Sequence, residues 1–200
     1  MVQGLIGSRM QSEQSSAVAD GVLARLGSWD ALARMPVDRI AHELKGVRFP
    51  NQSAKRVHNV LGAIVARKGK VDLTHLERCD TPTAIAWLES LPGVGRKIAA
   101  QVVNTSTLDR AALVLDTHHL RILARLGLIG PKDSTAKAYD GIMPLLPPSW
   151  DAATIDEHHQ LMKALGRAIC RPAKPLCPEC PALSLCPTGQ ARTGPEETRT

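Results

Sequence analysis

The chain has 200 residues, 44% of them apolar, with a formal net charge of +6 and a pI near 9.3. That length supports one domain or two small ones with a real core, and the basic balance favours a polyanionic partner. No apolar run approaches a membrane span and the first residues lack a signal-peptide pattern, which places the chain in the cytoplasm, where its five cysteines are not expected as disulfides.

Helical periodicity dominates from end to end, and alternating β-branched and aromatic runs are almost absent, so the expected fold class is all-α. Ala17, Val18, Val22, Leu23 and Leu26 recur at helical spacing and stop at Gly27. Ser28 is placed to cap a helix carrying Trp29, Leu32 and Met35. Pro36-Val37-Asp38 opens a short helix that ends before Gly46, and a turn through Phe49-Pro50 leads into a long basic helix reaching about Arg67. Val57, Val60, Leu61, Ile64 and Val65 form its inner face, while Lys55, Arg56 and His58 are left to line a phosphate backbone or simply to meet water. No internal repeat is present.

Residues 83–90 carry Ile85, Trp87 and Leu88 at helical spacing, then Leu91-Pro92-Gly93-Val94-Gly95 interrupts, and Ile98, Ala99, Val102 and Val103 resume. Pro92 cannot continue the first helix, and two glycines let the backbone approach another molecule closely. The second helix starts with free amides facing out of the turn, a seat for phosphate. Together these describe a helix-hairpin-helix element that grips a nucleic acid backbone without reading bases. Lys97 lies in the first turn after it, and Asp116 closes the apolar run Ala111-Ala112-Leu113-Val114-Leu115. Taken alone, Lys97 is an ordinary solvated lysine and Asp116 an ordinary helix cap.

After Asp116 a helix over residues 117–126 buries Leu120, Ile122, Leu123 and Leu126, and another covers 134–146. The last long helix, 151–170, shows an apolar stripe of Leu161, Met162, Leu165 and Ile169. It ends at the first member of a C-x6-C-x2-C-x5-C run: Cys170, Cys177, Cys180 and Cys186. Four thiolates on a proline-stiffened loop can close around tetrahedral zinc or a cubane iron–sulfur cluster, and spacing does not separate the two. Cys79 stands apart as a bystander, and the pair His158-His159 reads as packing, since four thiolates complete a ligand set. Arg171 and Lys174 in the loop are placed to meet a phosphate. Beyond Cys186 the chain turns polar, and residues 188–200 are expected as a disordered tail.

LPGVGRK followed by VLDTHHLRI resembles the helix-hairpin-helix DNA glycosylases, specifically the endonuclease III branch, and the resemblance extends from about residue 5 to residue 186. It implies base-excision DNA repair: a glycosylase removing a damaged base, an oxidised pyrimidine first, from duplex DNA, with abasic-site lyase activity. Lys97 falls at the family's nucleophile and Asp116 at its partner. The spacing reached from Gly166-Arg167-Ala168-Ile169-Cys170 resembles the family's [4Fe–4S] loop, with Cys170, Cys177, Cys180 and Cys186 as ligands. Residues 1–110 would then be a helical barrel domain with the hairpin and 111–187 the cluster domain, the catalytic pair meeting in the cleft between them. DNA contacts would come from Met10, Gln11, Leu91, Gly93, Val94, Gly95, Arg96 and His118, in a monomer working in the cytoplasm at a bacterial-type nucleoid.

The departures are specific. The family's Ser-Ala-Gln-x-Thr-Asp segment, which fills the gap left by a flipped base, corresponds here to Ser8-Arg9-Met10-Gln11-Ser12-Glu13. Met10 takes the filling position, with Gln11 one residue away. An apolar wedge holds a gap open but reads no opposite base. The turn at Phe49-Pro50 is two residues longer than in the family, and the chain begins about one helix late. Three other readings stay open: an abasic-site lyase with little glycosylase activity, an adenine or mismatch-type glycosylase, and a damaged-DNA-binding module without catalysis. The adenine-specific relatives lack the lysine, which ranks them lower.

Overall fold

A computed structural model describes residues 1–7 and 10–194. Among these residues the structure is helical and without strands, as the periodicity predicts. No helix among them is long and apolar enough to cross a membrane. The chain divides into two compact units between Leu108 and Asp109.

The first unit is built on α5 (Pro50–Lys68), which packs against α1 (Val2–Ile6), α3 (Trp29–Ala33) and α4 (Val37–Glu43). Ala54, Val57, Val60, Leu61 and Ile64 of α5 are fully buried, and each large side chain among them contributes roughly 1.5–3 kcal/mol by leaving water. Pro50 starts the helix where a missing amide costs nothing, and Gly69 ends it in the left-handed conformation at φ +76°. Ser28 caps α3 by accepting from the Ala31 amide at 3.2 Å. The N-terminal region is two helices, α1 and α2 (Ser12–Leu26), broken after Ile6. Arg56 fastens α1 to α5 by donating to the Leu5 carbonyl at 3.1 Å. The unit ends in α6 (Thr81–Glu89) and α7 (Arg96–Thr105), packed on each other.

In the second unit α8 (Thr117–Arg125) packs against α10 (Ala152–Ala168), with α9 (Thr135–Ile142) between them in sequence. Two expectations fail here. The buried face of α10 is Ala152, Ile155, His159, Lys163 and Gly166, whereas Leu161 is 63% exposed. Hydrophobicity put the leucines inward, but α8 approaches too closely for them: a Cβ on Gly166 would lie 2.7 Å from the His118 ring. Leu120 of α8 and Leu126, its C-cap, are only half-buried, while His119 is fully buried. Second, the segment expected as a structureless tail from residue 188 instead begins with α11 (Pro187–Thr193). Pro187 pre-sets the first turn, and the Cys186 sulfur accepts from the Gly189 amide at 3.3 Å. The rest of the expected tail, 195–200, lies outside the described residues.

Candidate functional site

The hairpin is fixed from below and open above. Asp80 caps α6 through the Thr83 amide at 2.8 Å, and the Leu91 and Val94 side chains are buried at 2% and 6% exposure. The Val94 amide closes the turn onto the Leu91 carbonyl at 3.1 Å, so these two residues hold the hairpin's shape. Gly93 and Gly95 are exposed, and neither amide has an acceptor among the described residues. Gly93 adopts φ +81°, a conformation a side chain resists. Arg96 forms a two-pronged pair with Glu89, at 2.9 and 3.1 Å, with its side chain 15% exposed. Its charge thus braces α7 against α6. Arg67 donates to both the hydroxyl and the carbonyl of Ser90, at 2.6 and 3.0 Å, and so holds the end of α6 where the hairpin begins.

Lys97 is the second residue of α7, immediately behind the hairpin, and its Nζ donates to Gln101 Oε1 at 2.8 Å one turn on. Ahead of it in the chain, Gln11 is the exposed N-cap of α2. The Met10 sulfur receives the Arg48 amide at 3.3 Å, which ties it to the turn before Phe49. Ser8 and Arg9 lie outside the described residues.

Asp116, in the second unit, is the N-cap of α8. Its Oδ1 accepts the His118 amide at 2.8 Å, the His119 amide at 3.0 Å and the His119 ring Nδ1 at 3.1 Å. Its side chain is 18% exposed. Burial alone would raise the carboxyl; hydrogen bonds from the His119 ring and amide outweigh it and hold the group well below the usual carboxylate range. His119 stacks on His159 with ring centroids 4.9 Å apart and planes 8° from parallel. The His159 ring donates from Nδ1 to the Val114 carbonyl at 2.8 Å. Burial foremost, then the facing His119, pushes its pKa down to about 4. The histidine pair on α10 therefore packs around Asp116. His118 covers Gly166 and engages Arg121 Nη2 through Nδ1 at 3.0 Å.

The four cysteines Cys170, Cys177, Cys180 and Cys186 line one pocket together with Arg125, Ile169, Leu183 and residues of α11. None is in a disulfide. No group of three or more histidine, cysteine and carboxylate residues among the described residues is arranged to hold a metal ion as it stands. Four thiols lining one pocket are the donor set of either tetrahedral zinc or a cubane iron–sulfur cluster. Two arginines missed by the sequence reading fasten this loop to α8. Arg121 donates to the Gly166 and Cys170 carbonyls at 2.7 and 2.8 Å. Arg125 donates to the Cys170 sulfur at 3.1 Å and to the carbonyls of Arg171 and Pro172, each at 2.8 Å. Their signal was an i, i+4 arginine pair on the helix that follows Asp116.

No family model matches the chain. Endonuclease III of Bacillus subtilis (strain 168) is 32% identical over 158 residues, which is 79% of this chain and 66% of that protein, just under two thirds. Endonuclease III of Synechocystis sp. is 30% identical over 193 residues, covering 96% of this chain and 81% of the relative. A solved non-covalent complex of endonuclease III with DNA superposes with a TM-score of 0.73 at 24% identity, over 96% of this chain and 83% of that one, a likeness of fold.

Proposed function

The chain belongs to the endonuclease III family of helix-hairpin-helix DNA glycosylases, and on that footing we propose that it is a bifunctional base-excision enzyme acting as a monomer on duplex DNA. The substrate is a duplex with a damaged base, an oxidised pyrimidine first, or with an abasic site. The observation that carries this reading is Lys97 in the first turn of α7, directly behind a hairpin with two exposed, unpartnered glycine amides. The amides and the start of α7 take a backbone phosphate. A base inside the stack is unreachable, so it is turned out first. Met10 or Gln11 fills the gap it leaves.

The neutral Lys97 amine then attacks C1′. A C–N bond forms as the bond from C1′ to the base breaks, and the base leaves with the electron pair and takes up a proton. Asp116, ionised at working pH, accepts the amine's proton and balances positive charge developing on the sugar. Ring opening leaves a Schiff base on Lys97. Loss of a proton from C2′ expels the 3′ phosphate and nicks the strand.

Cys170, Cys177, Cys180 and Cys186, which share one pocket, would hold a [4Fe–4S] cluster, favoured over zinc because their spacing resembles the cluster loop of the endonuclease III family. When bound, it ties four points of the loop together. Arg121 and Arg125 join that loop to the helix that Asp116 caps.

The test is a panel of duplexes, each with one lesion and each opposite base, scored for base release and for nicking. Excision of oxidised pyrimidines with nicking is expected. Nicking only at preformed abasic sites would assign a lyase with little glycosylase activity, and neither product would leave a binding module.

A further inference from the structure

A helix cap needs one oxygen and one or two backbone amides, and the Asp116 site holds more than that. Oδ1 takes a third hydrogen bond, from the ring of His119, whose side chain has no exposed surface. A carboxylate only accepts, so Nδ1 carries the hydrogen, and Nε2 is left bare. It is buried with no partner, as suits a nitrogen with no proton to place. The ring cannot swing away, because His159 stacks flat against it. His158 closes the edge at 5.8 Å. All three bonds to Asp116 fall on Oδ1, and Oδ2 has no hydrogen bond among the described residues.

We propose that His119 is a positioning residue for Asp116: its Nδ1–H anchors Oδ1, so that Oδ2 is left free and correctly turned for the reacting sugar. The proposal rests on the reading of Asp116 as the reacting carboxylate. The groups that face this carboxylate are His119 on α8 and His159 on α10, with His158 beyond His119 and Lys163 beyond His159. Of these only His119 touches it with a side chain.

The experiment measures the single-turnover rate of borohydride trapping on abasic duplex, from pH 5 to 8, for the parent, His119→Phe, His119→Asn and Asp116→Asn. His119→Phe keeps an aromatic ring for the stack and removes the donor. It should bind the duplex as the parent does and react roughly 10–100-fold slower. An additional acid limb should appear, because the carboxyl rises once that hydrogen bond is gone. Asn offers an N–H near the place of Nδ1, so His119→Asn should recover most of the rate. A His119→Phe protein with parental rate and pH profile, beside an inactive Asp116→Asn, would overturn the positioning role alone. So would a His119→Asn protein as slow as His119→Phe, since a restored N–H donor would then recover nothing. An active Asp116→Asn would instead remove the underlying reading. In the unaltered protein, nitrogen-15 spectra should show His119 as the Nδ1–H tautomer; the Nε2–H tautomer would overturn the proposal whether or not the variants fold.

Discussion

Asp116 is at once a cap and, on this account, a reagent, and one substitution separates the roles. Asparagine caps about as well as aspartate, so Asp116→Asn should melt where the parent does yet lose roughly 10²–10³-fold in base release and nicking. Full activity in that variant, by the same assay, would reduce Asp116 to its structural role. The buried imidazole of His159 makes a different prediction. An unfolded chain protonates this ring near pH 6.5 and the folded one only near 4. Stability is therefore lost as pH falls through that window, by about 2 kcal/mol between pH 7 and pH 5. Melting should drop by roughly 4–8 °C over that range. His159→Asn, which keeps a donor for the Val114 carbonyl, should remove most of the drop; melts that still track the parent's would locate the proton elsewhere. The sequence showed that these histidines pack, because four cysteines leave no ligand duty for them. It did not show what they pack around, since that depends on which face α10 turns to α8.

The hairpin between α6 and α7 was legible because its signals are local: a proline that stops one helix, glycines that open the turn, and an amphipathic run that resumes. Its internal division of labour was not. Leu91, Val94 and Arg96, expected as DNA contacts, have their side chains in the core or in the pair with Glu89, which leaves the glycine backbone as the exposed part. Gly95 gives the cleaner probe of that backbone. Its φ of −102° suits any residue, and a Cβ there meets nothing within 4 Å, whereas Gly93 sits at φ +81°. Gly95→Val should therefore melt normally and bind intact and abasic duplexes equally poorly, roughly tenfold weaker, the size of one lost hydrogen bond to a charged group. Parental affinity in a titration would mean that the hairpin is not the grip. The apolar stripe of α10 was misread for a physical reason. Helix contact there is set by a glycine and a histidine at close range, so bulk, not hydrophobicity, decides which face is covered.

Across the molecule, the all-helical class and the grouping of four cysteines followed from periodicity and spacing. The helix after Cys186 did not, because a seven-residue polar helix has no apolar face to announce it and is held by the loop it covers. Metal analysis addresses that loop: the purified protein should be brown and carry about four irons per chain, one for each thiolate. Cys177→Ser should lower that content, and a colourless protein with one zinc would overturn the cluster. Binding should weaken steeply with salt and depend little on sequence, as phosphate contacts require. The central claim is that Lys97 forms the covalent bond to DNA, and borohydride trapping on an abasic duplex tests it most directly. The parent should yield a stable protein–DNA adduct, while Lys97→Gln, with hairpin and cysteine loop intact, should bind the same duplex and yield none. An adduct that persists in Lys97→Gln would contradict the account and assign the nucleophile to another amine.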